Sequence, residues 1–335
     1  MGIKGTHHHS FDNRISRHFA SMNTIFVIGQ IIGISVALLF ALAKLVSRCS
    51  HVQDGYGSAV LITAATVASG TSWLAFWTTK GCLAPEGPGA QSLAEKSSSN
   101  LKVLKLDVTS DEEVQQAKKT VLENLPDKGL WAVVNNAGIT DWAEIEWISI
   151  EDFQRMIDIN LFGSIRVSSA FLPLVRAAKG RMVFMSSIFA FFNCLNMGAY
   201  SVSKRGLEAF ADCLRVSIIQ PGNFGQATNI LKMKTGLDIW EKLDGERKQT
   251  FNLQYMELAN EYFMSTCKGG FKDANMVIDA MLHAVTSSRP KYRYLLVSTV
   301  DMFFFQLFHF LPTALTRRCV LAQPHVRQEK SIALR

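Results

Sequence analysis

Six short apolar runs, at residues 59–62, 103–106, 130–134, 182–185, 216–219 and 294–297, are too short to be helices and sit far apart in the chain. Between them lie stretches with helical apolar spacing, at 111–125, 149–178 and 200–214. Strands separated by helix-sized intervals cannot close hairpins, so they pair parallel through helical crossovers. The expected class is therefore α/β, a Rossmann-like doubly wound parallel sheet. A chain of 335 residues, 48% of them hydrophobic, holds enough apolar surface for one such large domain or two smaller ones.

The net charge of +7 raises the question of a nucleic-acid partner. Residues 1–51 and 317–335 each carry five Lys or Arg against one acidic residue, which leaves the middle of the chain within one charge of neutrality. No basic stripe with interleaved aromatics runs through that middle, so no nucleic-acid partner is expected. The six cysteines form no CxxC pair and no cluster with histidine, so no metal site is expected, and His7, His8 and His9 read as part of a solvated leader.

Residues 25–43, "IFVIGQIIGISVALLFALA", are close to the ~20 apolar residues that a bilayer demands. They are expected to anchor the chain, which divides into a leader (1–23), a membrane-anchoring helix (24–46), a main domain (55–315) and a basic tail (316–335). Membrane lipid is thus an expected partner. A second apolar segment, 302–315, is too short to span; interfacial, pocket-capping and core-packing roles stay open.

The chemistry concentrates in Tyr200-Ser201-Val202-Ser203-Lys204. Four residues apart on a helix, the phenol and the ammonium share a face. A tyrosine ordinarily titrates near ~10, and an adjacent cation is expected to lower that value toward a usable acid/base. Ser187 ends the run "RMVFMSS" ahead of it, where a hydroxyl can face a ligand beyond the carboxyl edge of a parallel sheet. Asn135, Asn136, Ala137 and Gly138 end another strand with small or amide side chains that let a cofactor approach the backbone. Asn160 sits inside a helical pattern, where asparagine is mildly unfavourable.

"NNAG", Asn160, Ser187, "YSVSK" and Pro221-Gly222 fall in the order and spacing of the short-chain dehydrogenase/reductase family, which the chain resembles over residues 55–315. The resemblance implies a secondary-alcohol or ketone substrate and NAD as cofactor, with NADP the alternative. It gives Tyr200 the general acid/base role and has Lys204 lower its pKa and hold the nicotinamide ribose. Ser187 would polarise the substrate oxygen and Asn160 would anchor a proton-relay water. Thr63, Gly70, Asp107, Asn136, Ala137, Gly138, Pro221 and Gly222 would line the cofactor cleft, Asp107 against the adenine. It further implies a homo-oligomer paired through the helices at 149–178 and 200–214. "GLWAVVNNAGI", "FLPLVRAAKGR", "LEAFADCLR" and "IQPGNF" are similar to the branch acting on D-β-hydroxybutyrate, 17β-hydroxysteroids and retinol, in mitochondrial or endoplasmic-reticulum membranes. "PGNF" and "MVIDAMLHAVTSSRPKYRY" put D-β-hydroxybutyrate first. "IFAFFNCLNMGA", between Ser187 and Tyr200, has three phenylalanines and no cation for a carboxylate, which argues for the steroid or retinoid alternative.

The family's phosphate loop reads T-G-x-x-x-G-x-G, whereas this chain has Thr63, then Ala64 and Ala68 at the first two glycine positions, and only Gly70 retained. A Cβ at the first two obstructs the turn and the approach of a pyrophosphate. Lys80 runs directly into "GCLAPEGPG", so the second strand is expected to be missing, and the helix ending at Arg215 meets the next strand with no connecting residues. The first βαβ unit is therefore expected to be degraded, which leaves a catalytically impaired relative as the reading from another class. Codons for residues 64–80, read one base out of frame, can restore a glycine loop, and the tail from Arg317 fits a similar shift. Transcript sequence lacking a shifted glycine motif there would rule the frameshift out.

Overall fold

A computed structural model of the chain describes residues 58–64, 78–82, 102–192, 196–214, 216–227 and 234–310. The expected leader, anchor, Gly70 and basic tail all lie outside the described residues. Among the described residues, no helix is long and apolar enough to cross a membrane.

Seven parallel strands form one sheet: β1 (Ala59–Ala64), β2 (Thr78–Cys82), β3 (Lys102–Lys105), β4 (Leu130–Asn135), β5 (Arg181–Met185), β6 (Ser217–Pro221) and β7 (Arg293–Leu296). Their spatial order is β3-β2-β1-β4-β5-β6-β7. Strand order reverses between β1 and β4, and the crevice beyond the carboxyl ends at such a reversal is where ligands of open α/β sheets bind.

The strands' two-residue period decides both cores. Leu61, Leu130, Val133, Phe184 and Ile218 point to one face, while Val60, Ile62, Ala132, Val134, Val183 and Ile219 point to the other. Helices α1 (Asp111–Glu123), α3 (Ser164–Ala177) and α4 (Gly198–Leu214) cover the first face with Val114, Phe171 and Leu207, among others. The second is covered by α8 (Asn275–Thr286), through Ala280, Met281 and Ala284. Both faces are buried, as a parallel sheet requires. Ser110 starts α1 by accepting from the Glu113 amide, and Ser149 starts α2 (Ile150–Ile157) by accepting from that of Asp152.

Two sequence expectations are corrected. The second strand is present: Thr78–Cys82 lies between β1 and β3, pairing with both. Without it both neighbours would leave their facing amides and carbonyls unpaired, so even a segment of weak strand character is drawn in. At the α4–β6 junction the strand begins at Ser217 rather than at Val216, and Arg215 lies outside the described residues. Ser217 is the first β6 residue to pair with β5, and its hydroxyl donates to the Lys291 carbonyl at 2.9 Å, which fixes where the strand starts.

A second layer flanks the crevice. Helices α5 (Gly236–Lys242), α6 (Gly245–Thr250) and α7 (Leu253–Lys268) follow β6, and α5 and α7 bury Ile239, Tyr255 and Met256 against Trp142, Trp147 and Tyr200. The second apolar segment begins within α9 (Thr299–Phe310), whose Phe305 packs against Phe191 and Phe192, with ring centroids 6.1 and 5.1 Å away. Val300, Phe303 and Leu307 of that helix are exposed.

Candidate active site

At the carboxyl end of the sheet, Thr63 closes β1 onto β4. Its Oγ1 accepts from the amides of Asn136 and Ala137, both at 3.1 Å, and the Asn136 side-chain amide donates to the Thr63 carbonyl at 3.1 Å. The chain therefore leaves β4 in a fixed direction, toward Gly138. A Cβ built there would lie 3.1 Å from Asn160 Oδ1 and 3.5 Å from Lys204 Nζ. That single close approach brings the "NNAG" turn, the mid-helix asparagine and the lysine of "YSVSK" together.

Asn160 earns its unfavourable helical position through tertiary contacts. The helical run 149–178 is interrupted by a wider π-helical stretch, Asp158–Gly163, between α2 and α3. Within it the fully buried Asn160 accepts from the Ile139 amide at 2.8 Å and donates to the Ile139 carbonyl at 2.9 Å. It thus pairs with a backbone as a strand would. Its amide also donates to Ser203 Oγ at 2.9 Å, and Ser203 in turn donates to the Tyr200 carbonyl, tying the π-helical stretch to α4.

Ser187, Tyr200 and Lys204 are all buried. The Ser187 hydroxyl donates to the Pro221 carbonyl at 3.5 Å, accepts from the Phe189 amide at 3.3 Å at the start of the 3₁₀ turn Ile188–Ala190, and lies near enough to the Tyr200 phenol to favour its ionised form. Lys204 Nζ lies 5.7 Å from the centroid of the Tyr200 ring and donates to the Met185 carbonyl at 2.8 Å. The four side chains expected to do chemistry thus share one buried region, although they come from the π-helical stretch, the end of β5 and α4.

The expected lowering of the Tyr200 pKa is overturned. Burial pushes the phenol up to about 12, against a smaller opposing effect of the nearby Ser187 hydroxyl, and pushes the Lys204 ammonium down to about 8, which Glu208 opposes. Desolvation of a wholly buried group dominates, so the pocket as folded holds a proton on Tyr200.

Of the residues expected along the cofactor cleft, Asp107 follows β3 and uses Oδ1 to accept from the Thr109 amide and hydroxyl, at 2.8 and 2.7 Å. Pro221 ends β6. The Gly222 amide donates to the Leu296 carbonyl at 2.9 Å, and a Cβ there would sit 2.6 Å from Val297 Cγ1, so only glycine passes between the strands. Sequence reasoning missed Glu208, Ser186 and Gln220, which hydrogen bond one another beneath the site. The four-residue spacing of Glu208 from Lys204 on α4 was the available signal.

A family model described as short chain dehydrogenase matches residues 82–222. Over 289 residues the chain is 36% identical to 17-beta-hydroxysteroid dehydrogenase type 6 of Homo sapiens, covering 79% of this chain and 87% of the relative. The chain belongs to the short-chain dehydrogenase family. It is also 35% identical over 232 residues to the mitochondrial D-beta-hydroxybutyrate dehydrogenase of Bos taurus, covering 64% of this chain and 67% of that one. Retinol dehydrogenase 7 of Mus musculus is 34% identical over 283 residues, covering 79% and 87%. A solved short-chain dehydrogenase from Streptomyces avermitilis matches with a TM-score of 0.57 at 17% identity, over 81% of this chain and 97% of that one, which supports the fold. This dehydrogenase is accordingly an oxidoreductase of hydroxyl and ketone groups, in a family that uses NAD(H) or NADP(H).

Proposed function

We propose that this dehydrogenase interconverts an apolar alcohol and its carbonyl form, a secondary alcohol and ketone for a steroid or a primary alcohol and aldehyde for a retinoid, with NAD as cofactor. The observation that carries the reading is the shared burial of Ser187, Tyr200, Lys204 and Asn160 around Gly138. When bound, the nicotinamide supplies or accepts the hydride. Tyr200, protonated in the folded pocket, donates its phenolic proton to the carbonyl oxygen in the reductive direction. The Ser187 hydroxyl, buried beside that phenol, would orient the same oxygen. Lys204, fixed by the Met185 carbonyl, would hold the ribose and keep a positive charge beside the phenol; Asn160 fixes the Ile139 turn and would anchor the water that returns the proton.

Two features of the crevice support a dinucleotide there, against Ala64, in place of glycine, at the end of β1. The crevice opens at the strand-order reversal, and Gly138 keeps its floor free of a Cβ. Thr63, Asn136, Ala137, Gly138, Pro221 and Gly222 would line it, with Asp107 at the adenine end and Gly70 contributing from outside the described residues.

An apolar substrate, such as a steroid or retinoid, is favoured by the aromatic wall beside the phenol. The Phe189 ring lies 6.2 Å from that of Tyr200, edge to face, and Phe191 and Phe192 continue the wall to Phe305. Among the described residues, two cations are engaged: Arg205 donates to the Ala190 carbonyl at 2.9 Å and Lys234 pairs with Asp141 at 2.6 Å. D-β-hydroxybutyrate is the second reading, supported by the similarity of the bovine enzyme named for it. We further propose membrane association through residues 24–46, at a mitochondrial or endoplasmic-reticulum membrane. Pairing of two copies would use the faces that expose Phe162 and Val202.

The test is NAD binding followed by turnover. Saturable binding and oxidation of a steroid or retinol, abolished by Tyr200→Phe with a loss of about 10²-fold or more in kcat, support the reading. Absence of binding, restored when glycines replace Ala64 and Ala68, would instead identify an impaired relative.

A further inference from the structure

Beneath the proposed acid/base site lies a buried carboxylate for which that reading has no use. Glu208 sits on α4, one turn beyond Lys204, and its residue is 8% exposed. Oε1 accepts from Ser186 Oγ at 2.6 Å and from Gln220 Nε2 at 2.9 Å, and Oε2 accepts from an Arg293 NH1 at 2.8 Å. Both Ser186 and Gln220 are themselves buried. Each immediately precedes a site residue: Ser186 precedes Ser187, and Gln220 precedes Pro221. Ser186 also donates its amide to the Ile219 carbonyl at 2.7 Å, so the ends of β5 and β6 are joined to each other as well as to the carboxylate. A buried anion with two neutral donors and one cation is held in one orientation, since leaving any of its lone pairs unmet is costly.

We propose that Glu208 is a positioning residue of the acid/base site. One carboxylate ties the strand ends that carry Ser187 and Pro221 to the helix that carries Tyr200 and Lys204, and its charge holds Lys204 in the ammonium form. The inference rests on the roles proposed above for Tyr200 and Lys204. Among the described residues, the groups facing Lys204 are Tyr200 and Glu208 on its own helix, the Met185 carbonyl on β5, and Asn160 and Gly138 across the cleft. From β7, Arg293 acts on Lys204 through Glu208, and is itself shared with Asp212, to which NH2 donates at 2.6 and 2.8 Å. Glu208 raises the ammonium pKa against the burial that lowers it.

The experiment titrates Lys204 in the cofactor-free full chain by isotope-edited NMR of the lysine Cε groups, with Lys204→Met identifying the resonance. In Glu208→Gln the midpoint is expected to fall by about one on the pH scale, a tenfold change in the proton equilibrium typical of a lost neighbouring charge. In Arg293→Gln, which removes the competing cation from a half-exposed position on an edge strand, the midpoint is expected to rise. An unchanged midpoint in Glu208→Gln overturns the proposal. Should Glu208→Gln not fold, Arg293→Gln decides alone, and an unchanged or lowered midpoint there overturns it equally. Turnover is a separate readout: an active Tyr200→Phe variant would sink the acid/base assignment while leaving the Lys204 titration intact.

Discussion

Replacing Lys204 with methionine should stabilise the fold at neutral pH and lose that advantage in alkali. In the folded chain the Lys204 ammonium titrates at about 8 rather than 10.5, because burial penalises the charge more than Glu208 favours it. With its folded pKa depressed, the folded chain binds fewer protons at this position than the unfolded chain between about 8 and 10.5. Stability therefore rises with pH across that window, and the penalty is fully present below it. At about 1.4 kcal/mol per pKa unit, the penalty is about 3 kcal/mol at pH 7. Against it stands the hydrogen bond to the Met185 carbonyl, whose loss costs about 1 kcal/mol. The variant should then be about 2 kcal/mol more stable than the parent at neutral pH, and about 1 kcal/mol less stable above the unfolded lysine pKa. Urea unfolding of both proteins at a series of pH values measures the difference directly. Tyr200, whose raised pKa makes stability fall between 10 and about 12, is common to both chains. A stability difference that stays flat from about 8 to 10.5 would refute the assignment of a desolvated ammonium at Lys204.

Gly138→Ala should place a Cβ 3.1 Å from Asn160 Oδ1 and weaken cofactor affinity by about tenfold or more, with secondary structure retained; isothermal titration checks it, and unchanged affinity would contradict the close approach. Asn160→Ala removes the partner of the part-buried Ile139 amide and carbonyl and a fully buried side chain, so a loss of about 2–4 kcal/mol is expected in urea unfolding, while a loss below about 0.5 kcal/mol would contradict that role. Because Tyr200 holds its proton up to about 12, initial rates of ketone reduction should vary little between about pH 6 and 8. Alcohol oxidation, which draws on the phenolate, should rise about tenfold per pH unit over the same range, and equal pH profiles in the two directions would count against Tyr200 as the proton donor.

Much of this molecule was decided locally and could be read in the chain. Apolar residues at both parities of one strand, such as Ala132, Val133 and Val134, dictate two buried faces, and two buried faces dictate a parallel sheet with crossovers. The Tyr200–Lys204 spacing fixes their common face because a helix has only one period. What the chain could not disclose depends on partners distant in sequence. Thr78–Cys82 has little strand character of its own and becomes β2 because β1 and β3 leave it a slot of unpaired backbone. Asn160 tolerates a π-helical turn because the Ile139 backbone, 21 residues earlier, supplies what the helix withholds. The acid/base pKa values reversed the local expectation, since a neighbouring lysine is visible in sequence and desolvation is not. Glu208 became more than a helix-face carboxylate only when Ser186, Gln220 and Arg293 arrived from three strand ends to meet it.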